Sequence, residues 1–567
     1  MPEIKLKSSS LILLVIMITV LVLVINSTFR FLSFQKYGEL DEVASLISSN
    51  YVDTIEKEKL IRNGITGMTS DLDPYSYYLD KKELSGLLEE SKGEFQGLGM
   101  EISVKEGYPV VISPIEDGPA SKAGIKTGDK IVKIGNQPTK GLTSDQAQQK
   151  LRGPKGSRVK FAIVREGISD TLEFNLRREV IEIKSVSFSG VIEDGIGYVR
   201  LTRFSENAPS ELKEALKELK DKNIKGLILD LRGNPGGLLQ EAVGAAELFL
   251  KKGESVVEIR GRRDSDNRKF QTSARPIFEN LPLIVLVNYG SASASEILAG
   301  AIQDQDRGLI LGDTSYGKGA VQTVFELRGK TALKLTTAKY FLPSGRLIQK
   351  NRESDKNSSE DTVFAREQRA MPQQPSETKV YYTKKGRKVY GGGGIVPDIL
   401  SPDPVYPPLL QKIFEEGYFF DYAVHYTATH PDIPENFQAD EKVLNDFKKF
   451  ISSKDLKYTT VSETQLEKLK QAITQEAALY SENGSASRTK EALDRLASIL
   501  EQEKKAEFEK EKIPLKWQIE EAILTTKFGS KARYKLWPEY QEQIKRAVEI
   551  LKNMGEYEKL LSATPKE

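Results

Sequence analysis

Two short stretches of this 567-residue chain carry residues that could perform acyl transfer. The first is Ser291-Ala-Ser-Ala-Ser295, which follows an apolar, strand-like run, Leu283 to Val287, and precedes apolar residues at helical spacing. A strand, a tight turn and a helix would place a hydroxyl at a helix N-terminus, where free backbone N–H groups can stabilise an oxyanion. Serines in this position are more often helix N-caps, so this stretch alone favours capping.

The second stretch, Tyr316-Gly-Lys-Gly-Ala-Val-Gln322, makes catalysis the better interpretation. Lys318 lies between two glycines in a mostly apolar and small neighbourhood. Removal from water disfavours the charged form of a lysine, so this setting suits a lysine that loses its proton near neutral pH. A lysine that serves only solubility has no need of such a setting.

The composition excludes several alternative mechanisms. The chain has no cysteine, so it has neither a thiol nucleophile nor a thiolate metal site. Its two histidines, His425 and His430, lie far downstream, and no His-Glu-x-x-His helix supports a zinc peptidase. We therefore expect no metal and no cofactor. Serine with a lysine base remains, which is a known variant of the Ser-His-Asp arrangement.

With both motifs, the sequence resembles the C-terminal processing (tail-specific) serine peptidases. Spacing alone does not distinguish Ser293 from Ser291 or Ser295 as the nucleophile. The resemblance makes that choice: it implies that Ser293 is the nucleophile and Lys318 the general base. It also implies that Gln322 orients the lysine. A lysine base predicts activity that rises with pH as Lys318 loses its proton.

A glycine-rich loop, Arg232-Gly-Asn-Pro-Gly-Gly237, follows a predicted buried strand at 226–231. Glycines have no side chain to block a substrate, so their N–H groups can approach a carbonyl. The geometry also allows a phosphate-binding loop, but no lysine follows the glycines as in a P-loop. The resemblance implies that this loop donates one oxyanion-hole N–H, from Gly237 or alternatively Gly236, and that Ala294 donates the other.

Residues 94–178 resemble a PDZ domain. Its glycine-containing loop, beginning at Gly97, would receive a terminal carboxylate on backbone N–H groups, and the strand after it would pair with the bound peptide. Arg152 is either a solvated turn residue or, as the resemblance implies, a regulatory residue that couples the PDZ domain to the Lys–Gln pair. The predicted peptide-binding residues are Gly97, Leu98, Gly99, Met100 and Ile102.

The N-terminus carries an apolar run, Leu11 to Ile25, preceded by Lys5 and Lys7. A cleaved signal peptide is one interpretation, but no Ala-x-Ala pattern follows. We therefore predict an uncleaved single-pass anchor within residues 1–30. Basic residues on its N-terminal side predict that this end is cytosolic. The catalytic part would then lie on the extracytoplasmic, or periplasmic, side of the cell inner membrane.

We predict a multidomain α/β protein, in which the resemblance implies a peptidase core of the ClpP/crotonase type. A formal net charge of +2 gives no reason to expect nucleic acid as a partner. A polar insertion from 350 to about 376 is predicted to be a mobile loop. The predicted domains are an anchor at 1–30, a helical region at 36–93, the PDZ domain at 94–178, the core at 180–405 and a helical C-terminal domain at 408–567.

These patterns predict an exported, membrane-anchored serine endopeptidase that captures protein substrates by their exposed apolar C-termini. The resemblance associates the N-terminal helical region, with its Leu72-Asp-Pro-Tyr-Ser76 segment, with dimerisation, so a homo-oligomer is expected. That segment is equally consistent with a plain loop and packed tyrosines.

Adaptor docking is a further hypothesis for residues 408–567. A non-catalytic PDZ scaffold is the alternative function, and thioester hydrolysis is disfavoured because a small thioester has no use for a tail-binding groove.

Overall fold

The computed structural model describes residues 38–350, 379–454, 456–480 and 485–562, together with Met17. The predicted anchor lies outside the described residues apart from Met17, and the predicted insertion lies outside them from residue 351 onward. None of the helices described in these ranges is long and apolar enough to cross a membrane. Two compact units are formed: the described residues of Met1–Leu84 with Gln322–Thr336, and the described residues of Ser85–Val321 with Thr337–Glu567.

Helices alternate with strands in the first three quarters of the chain and dominate the last quarter. The helices are 38–50 (α1), Lys57–Thr69 (α2), Lys81–Lys92 (α3), Pro119–Lys122 (α4), Ser144–Leu151 (α5), Ala208–Asp221 (α6), Leu239–Ala246 (α7), Ala294–Asp304 (α8), Pro408–Glu416 (α9), Tyr418–Thr429 (α10), Glu441–Ser452 (α11), Val461–Tyr480 (α12), Ser485–Lys510 (α13), Lys512–Phe528 (α14), Arg533–Tyr540 (α15), Glu542–Lys552 (α16) and Met554–Leu561 (α17).

The strands follow the same chain order. They are Tyr77–Leu79 (β1), Glu94–Gly97 (β2), Met100–Lys105 (β3), Tyr108–Pro114 (β4), Lys130–Ile134 (β5), Gln137–Pro138 (β6), Arg158–Val164 (β7), Leu172–Arg177 (β8), Glu179–Glu182 (β9), Val186–Val191 (β10), Ile196–Leu201 (β11), Gly226–Asp230 (β12), Ser255–Gly261 (β13), Arg268–Gln271 (β14), Leu283–Val287 (β15), Leu309–Gly312 (β16), Ala320–Leu327 (β17), Thr331–Phe341 (β18), Val380–Tyr382 (β19), Lys388–Tyr390 (β20) and Ile399–Leu400 (β21).

In the smaller unit, the Asp-Pro-Tyr-Ser segment is a turn that is hydrogen-bonded to Thr336 of β18. The Asp73 carboxylate accepts hydrogen bonds from the Tyr75 N–H, the Ser76 hydroxyl and the Thr336 hydroxyl. The Ser76 hydroxyl in turn accepts from the Thr336 N–H at 2.9 Å. Strand β1, which follows the turn, pairs antiparallel with the first half of β18, with Tyr77 opposite Lys334. The segment is therefore more than a plain loop.

The PDZ region of the larger unit is an antiparallel sheet in the order β3-β4-β5-β7-β8, with β6 on β5. Helices α4 and α5 bury Ala120, Ala147 and Leu151 against it. A capping box at Thr143 and Gln146 starts α5, because each residue satisfies a free N–H group of the other. The separate β2–β9 pair lies beside the glycine-containing loop at the start of β3.

The peptidase sheet has the strand order β10-β11-β12-β15-β16-β21. Only β10 and β11 are antiparallel among its described pairs; β11 through β21 run parallel. Every residue of β12, β15 and β16 is buried, which explains why their sequences are continuous apolar runs and not alternating patterns. One face of the sheet packs against helices α6, α7 and α8.

The opposite face of this sheet is covered by the end of the predicted C-terminal helical domain. Residues of α15, α16 and α17 share a core with inward residues of the strands, including Ile228, Ile284 and Leu311. The Tyr557 hydroxyl also donates to the Leu283 carbonyl and accepts from its N–H. Helices α9, α10, α11 and α14 form a separate apolar core. The last three helices therefore complete the peptidase core, although they follow it by more than a hundred residues in sequence.

Candidate active site

Ser293 lies at the joint between β15 and α8, in a backbone conformation that few residues other than glycine adopt. Its φ is +55° and its ψ is −113°. Such a conformation costs free energy and persists only where the surroundings impose it. Helix α8 begins at the next residue, so the hydroxyl of half-buried Ser293 lies where the helix has its unpaired N–H groups.

The structure distinguishes among the three serines of the motif. The Ser291 hydroxyl donates to the Leu231 carbonyl at 2.8 Å and accepts from the Asn288 N–H. The Ser295 hydroxyl donates to the Asn234 carbonyl at 2.9 Å. Both of these serines are fully buried and serve to pin the turn, whereas Ser293 is partly exposed. The conformation and exposure of Ser293 agree with its selection as the candidate nucleophile.

A buried carboxylate joins the serine motif to the lysine motif. Glu296, in the first turn of α8, accepts hydrogen bonds from the Ser293 N–H at 2.7 Å and the Lys318 N–H at 2.9 Å. It also accepts from the Gly317 N–H and the Ser315 hydroxyl. Burial raises the pKa of Glu296 to about 7, although these hydrogen bonds act in the opposite direction. The carboxylate fixes the two backbone segments relative to each other.

Glu296 was not among the functional residues predicted from sequence. The available signal was a single carboxylate in the otherwise apolar start of α8, three residues after Ser293. Tyr340 is a second residue that was missed. Its buried hydroxyl contacts the carbonyls of both Ser293, at 3.2 Å, and Lys318. Nothing in the strand-like pattern around Tyr340 distinguishes it from an ordinary core residue.

Lys318 is half-buried, and both of its flanking glycines pack closely against other backbone segments. A Cβ on Gly317, whose φ is +89°, would lie 3.2 Å from the Gly394 nitrogen. A Cβ on Gly319 would lie 2.9 Å from the Gln349 nitrogen. The Gln349 side chain holds the segment further, because its Oε1 accepts from the Gly319 N–H at 2.9 Å. The glycines therefore let the lysine segment pass against two other backbones.

The glycine loop after β12 lies directly against the nucleophile. A Cβ on Gly236 would meet the Ser293 Cβ at 2.9 Å and the Ala294 nitrogen at 2.8 Å, so only glycine fits. The Gly236 N–H already donates to Asn234 Oδ1 at 2.9 Å. Within the described part of the chain, the N–H groups of Gly237 and Ala294 have no protein acceptor. This favours Gly237 over Gly236 as a donor to a substrate oxygen.

Gln322 belongs to the smaller unit. Its amide nitrogen donates to Thr336 Oγ1 at 3.3 Å, and the Thr336 hydroxyl donates to Asp73 at 2.9 Å. Because a carboxylate only accepts, this chain fixes which end of the Gln322 amide faces Thr336. Burial tends to raise the pKa of Asp73, but the hydrogen bonds from Thr336 and Ser76 outweigh it and lower that pKa. Asp73 is therefore an ionised acceptor at neutral pH.

A cavity of about 300 Å³ opens in the PDZ region beside the start of β3. Four of the five predicted peptide-binding residues line it, and Gly97, the last residue of β2, does not. The lining residues are Phe95, Leu98, Gly99, Met100, Glu101, Ile102, Ile115, Gln148, Leu151 and Arg152. The mostly apolar walls suit an apolar side chain at the end of a peptide.

Arg152 contributes to the wall of this cavity, and its side chain has partners. Its guanidinium pairs with Glu89 at 2.6 Å and lies over the Phe95 ring, 4.8 Å from the centroid. Arg152 is exposed at the end of α5, as expected for a solvated turn residue, and its side chain also has these two partners. Its predicted regulatory role stays a prediction.

Comparisons with known proteins match the peptidase and PDZ regions of the chain. The family model of Peptidase family S41 matches residues 195–356, and the PDZ domain model matches residues 87–164. The model "Probable PDZ-protease, C-terminal helical domain" matches residues 409–551, and the model "Activating protease CtpB N-terminal domain" matches residues 27–83. The predicted order of PDZ, peptidase and C-terminal helical regions is thereby confirmed.

Several known proteins are similar over the central part of the chain. A carboxy-terminal-processing protease of Bartonella bacilliformis is 41% identical over 321 residues, covering 56% of this chain and 73% of the relative. The carboxy-terminal processing protease CtpA of Bacillus subtilis is 35% identical over 316 residues, covering 56% and 67%. A solved photosystem II D1 C-terminal processing protease is 31% identical, covering 54% and 82%, with a TM-score of 0.32. The chain belongs to the carboxy-terminal processing proteases, PDZ-containing serine peptidases of family S41.

Proposed function

We propose that this protein is an endopeptidase in which Ser293 is the nucleophile and Lys318 is its general base. The observation that carries the proposal is the carboxylate of Glu296, which binds the backbone N–H groups of both residues at once. This contact brings together the two stretches that the sequence analysis singled out. The strained backbone of Ser293 supports the same assignment. So do the hydroxyls of Ser291 and Ser295, which already donate to backbone carbonyls.

In the proposed reaction, Lys318 Nζ removes the proton from Ser293 Oγ, which attacks the carbonyl carbon of the scissile peptide bond. The N–H groups of Gly237 and Ala294 stabilise the negative oxygen that forms. Lys318 then gives its proton to the leaving amine. Lys318 next removes a proton from water, which attacks the ester carbonyl. The bond between that carbonyl carbon and Ser293 Oγ breaks, Lys318 returns the proton to Ser293 Oγ, and the carboxylic acid product leaves. Gln322, implied by the family resemblance, would orient the lysine.

Substrates would be proteins with exposed, apolar C-termini. The apolar cavity at Leu98, Met100 and Ile102 supports this proposal, together with β3 beside it, with which an extended peptide could pair. The Leu11 to Ile25 run after Lys5 and Lys7 supports a membrane anchor with the catalytic part on the extracytoplasmic side. Exported proteins are then the substrate class to which this enzyme has access.

The test is cleavage of a loosely folded protein that ends in an apolar tail. The full chain should cut it, and Ser293→Ala and Lys318→Ala should each lower kcat at least about 100-fold, because nucleophile and base act as one unit. Ser210→Ala, which changes an exposed serine of α6, is the control and should remain active. Activity that survives Ser293→Ala would contradict the dyad. Binding of the tail without cleavage by the parent would favour a PDZ scaffold.

The same preparation tests the location. The full chain should remain in the membrane fraction after washing with high salt and should be released by detergent. Recovery in the soluble fraction without detergent would contradict the proposed anchor.

A further inference from the structure

The C-terminal helices hold the glycine loop 232–237 from the face of the sheet opposite α8. The Arg232 side chain donates to Gln543 Oε1, in α16, at 2.6 Å. The ring of Trp537, in α15, lies 5.0 Å from the Arg200 guanidinium and 5.9 Å from that of Arg232. Gln543 and Trp537 are 4% and 8% exposed. The residue that begins the loop is therefore enclosed by two side chains from the C-terminal region.

The charges around Arg232 explain why its guanidinium has these two partners. Asp230, the last residue of β12, is fully buried and binds the guanidinium groups of Arg200, at 2.7 Å, and Arg232, at 2.6 Å. Burial tends to raise the pKa of Asp230, but the two arginines outweigh it and hold that pKa well below its ordinary value. One carboxylate thus faces two cations. The Trp537 ring, Gln543 Oε1 and the nearby Asp403 carboxylate supply further negative potential.

A second chain of hydrogen bonds links Gln543 to the glycine loop. Its amide nitrogen donates to Asp403, and Asp403 accepts from the Asn288 amide at 2.8 Å. The Asn288 Oδ1 in turn accepts from the Gly233 N–H at 2.8 Å and the Gly290 N–H at 3.1 Å. One buried amide thereby fixes the first two residues of the glycine loop and the turn that precedes Ser293.

We propose that Gln543 and Trp537 are positioning residues, which hold loop 232–237 so that the Gly237 N–H is aligned with Ser293. Gly236 packs directly against Ser293, so a small shift of the loop would change the position of the Gly237 N–H relative to the nucleophile. The C-terminal helical region would then contribute to catalysis by holding this loop in place. This inference rests on the proposed function, since the alignment matters only if Gly237 stabilises the oxyanion.

The test compares Gln543→Met and Trp537→Leu with the full parent chain. Gln543→Met nearly keeps the side-chain volume, and Trp537→Leu replaces the ring by a smaller apolar side chain. Each variant removes one of the two C-terminal partners of Arg232 and leaves its ion pair with Asp230 in place. We expect kcat to fall about 10- to 100-fold with KM nearly unchanged, less than the 100- to 1000-fold that loss of a whole oxyanion donor costs. Affinity for a peptide boronate, whose oxygen occupies the oxyanion hole, should fall by a similar factor. Trp537→Phe, which retains a ring, should recover part of both losses.

Val548→Ala is the matched control, because Val548 packs from α16 on the same sheet face without joining the polar network. It should lower thermal stability by a comparable amount and leave kcat and boronate affinity near the parent values. Unchanged kcat and boronate affinity in Gln543→Met and Trp537→Leu would overturn the positioning role and leave the proposed function standing. Parent-level cleavage by Ser293→Ala would instead overturn the proposed function, and this inference with it.

Discussion

At the scale of single residues, the site is assembled by groups that do not themselves react. Glu296 accepts four hydrogen bonds, from the segments of both candidate catalytic residues. A buried carboxylate is costly unless it is fully hydrogen-bonded. Here the donors offset only part of that cost, because the pKa of Glu296 stays raised, and the carboxyl group links the segments of Ser293 and Lys318. Tyr340 reinforces this link through the two carbonyls.

The raised pKa of Glu296 predicts a pH dependence of stability. A carboxyl whose folded pKa of about 7 exceeds its unfolded value of 4.5 stabilises the fold below pH 4.5, and this contribution is lost as pH rises through 7. The loss is on the order of 3 kcal/mol. Urea unfolding of the parent and Glu296→Gln at pH 5 and pH 8 should therefore show the parent losing more stability than the variant.

The variant Ser315→Ala provides a second test of the Glu296 pKa. It removes a hydrogen bond that lowers the Glu296 pKa, so the loss of stability should move to higher pH. An identical pH dependence in the parent and in Glu296→Gln would contradict the raised pKa.

Residue types and spacing were enough to predict Lys318 and the serine cluster, but not to choose among the serines. The structural reason is that the hydroxyls of Ser291 and Ser295 are bound by the carbonyls of Leu231 and Asn234, sixty residues upstream. Contacts of such sequence separation leave no periodic signal. The same holds for Glu296, whose role depends on the position of the lysine segment.

At the scale of helices and strands, local patterns correctly predicted the buried strands β12 and β15 and the helix α8. The patterns of the C-terminal helices indicated that they pack, but an amphipathic face does not reveal its partner. Helices α15 to α17 turned out to cover the second face of the peptidase sheet. By contrast, α12 and α13 contact each other, with Lys470 4.0 Å from Asp494, and bury few of their described side chains.

This difference predicts unequal tolerance to deletion. A chain that ends at residue 532 loses α15 to α17 and exposes apolar strand residues such as Ile228 and Ile284, so it should fail to fold. Replacing residues 471–493 by a short Gly-Ser linker joins neighbouring ends and should leave thermal stability and peptidase activity close to those of the parent. Solubility, circular dichroism and cleavage assays measure both outcomes. A soluble, active chain ending at 532 would contradict the structural role of these helices.

At the scale of the whole molecule, the order of PDZ, peptidase and helical regions could be predicted from motifs. The dependence of the core on the last helices could not, because domain boundaries inferred from sequence assume that neighbouring residues share a core. Here β12 is buried by α6 and α7 on one face and by α16 on the other. The fold thus links the candidate oxyanion loop to the C-terminal region through Arg232.

The most direct test of the central claim is to map the serine that reacts. The full chain would be treated with a fluorophosphonate, which phosphonylates an activated serine, and analysed by peptide mass spectrometry. The structure predicts a single adduct on Ser293, formed at least about 100-fold more slowly in Lys318→Ala, the lower end of what a general base contributes. An adduct on Ser291 or Ser295, or an undiminished rate in Lys318→Ala, would contradict the Ser293–Lys318 mechanism.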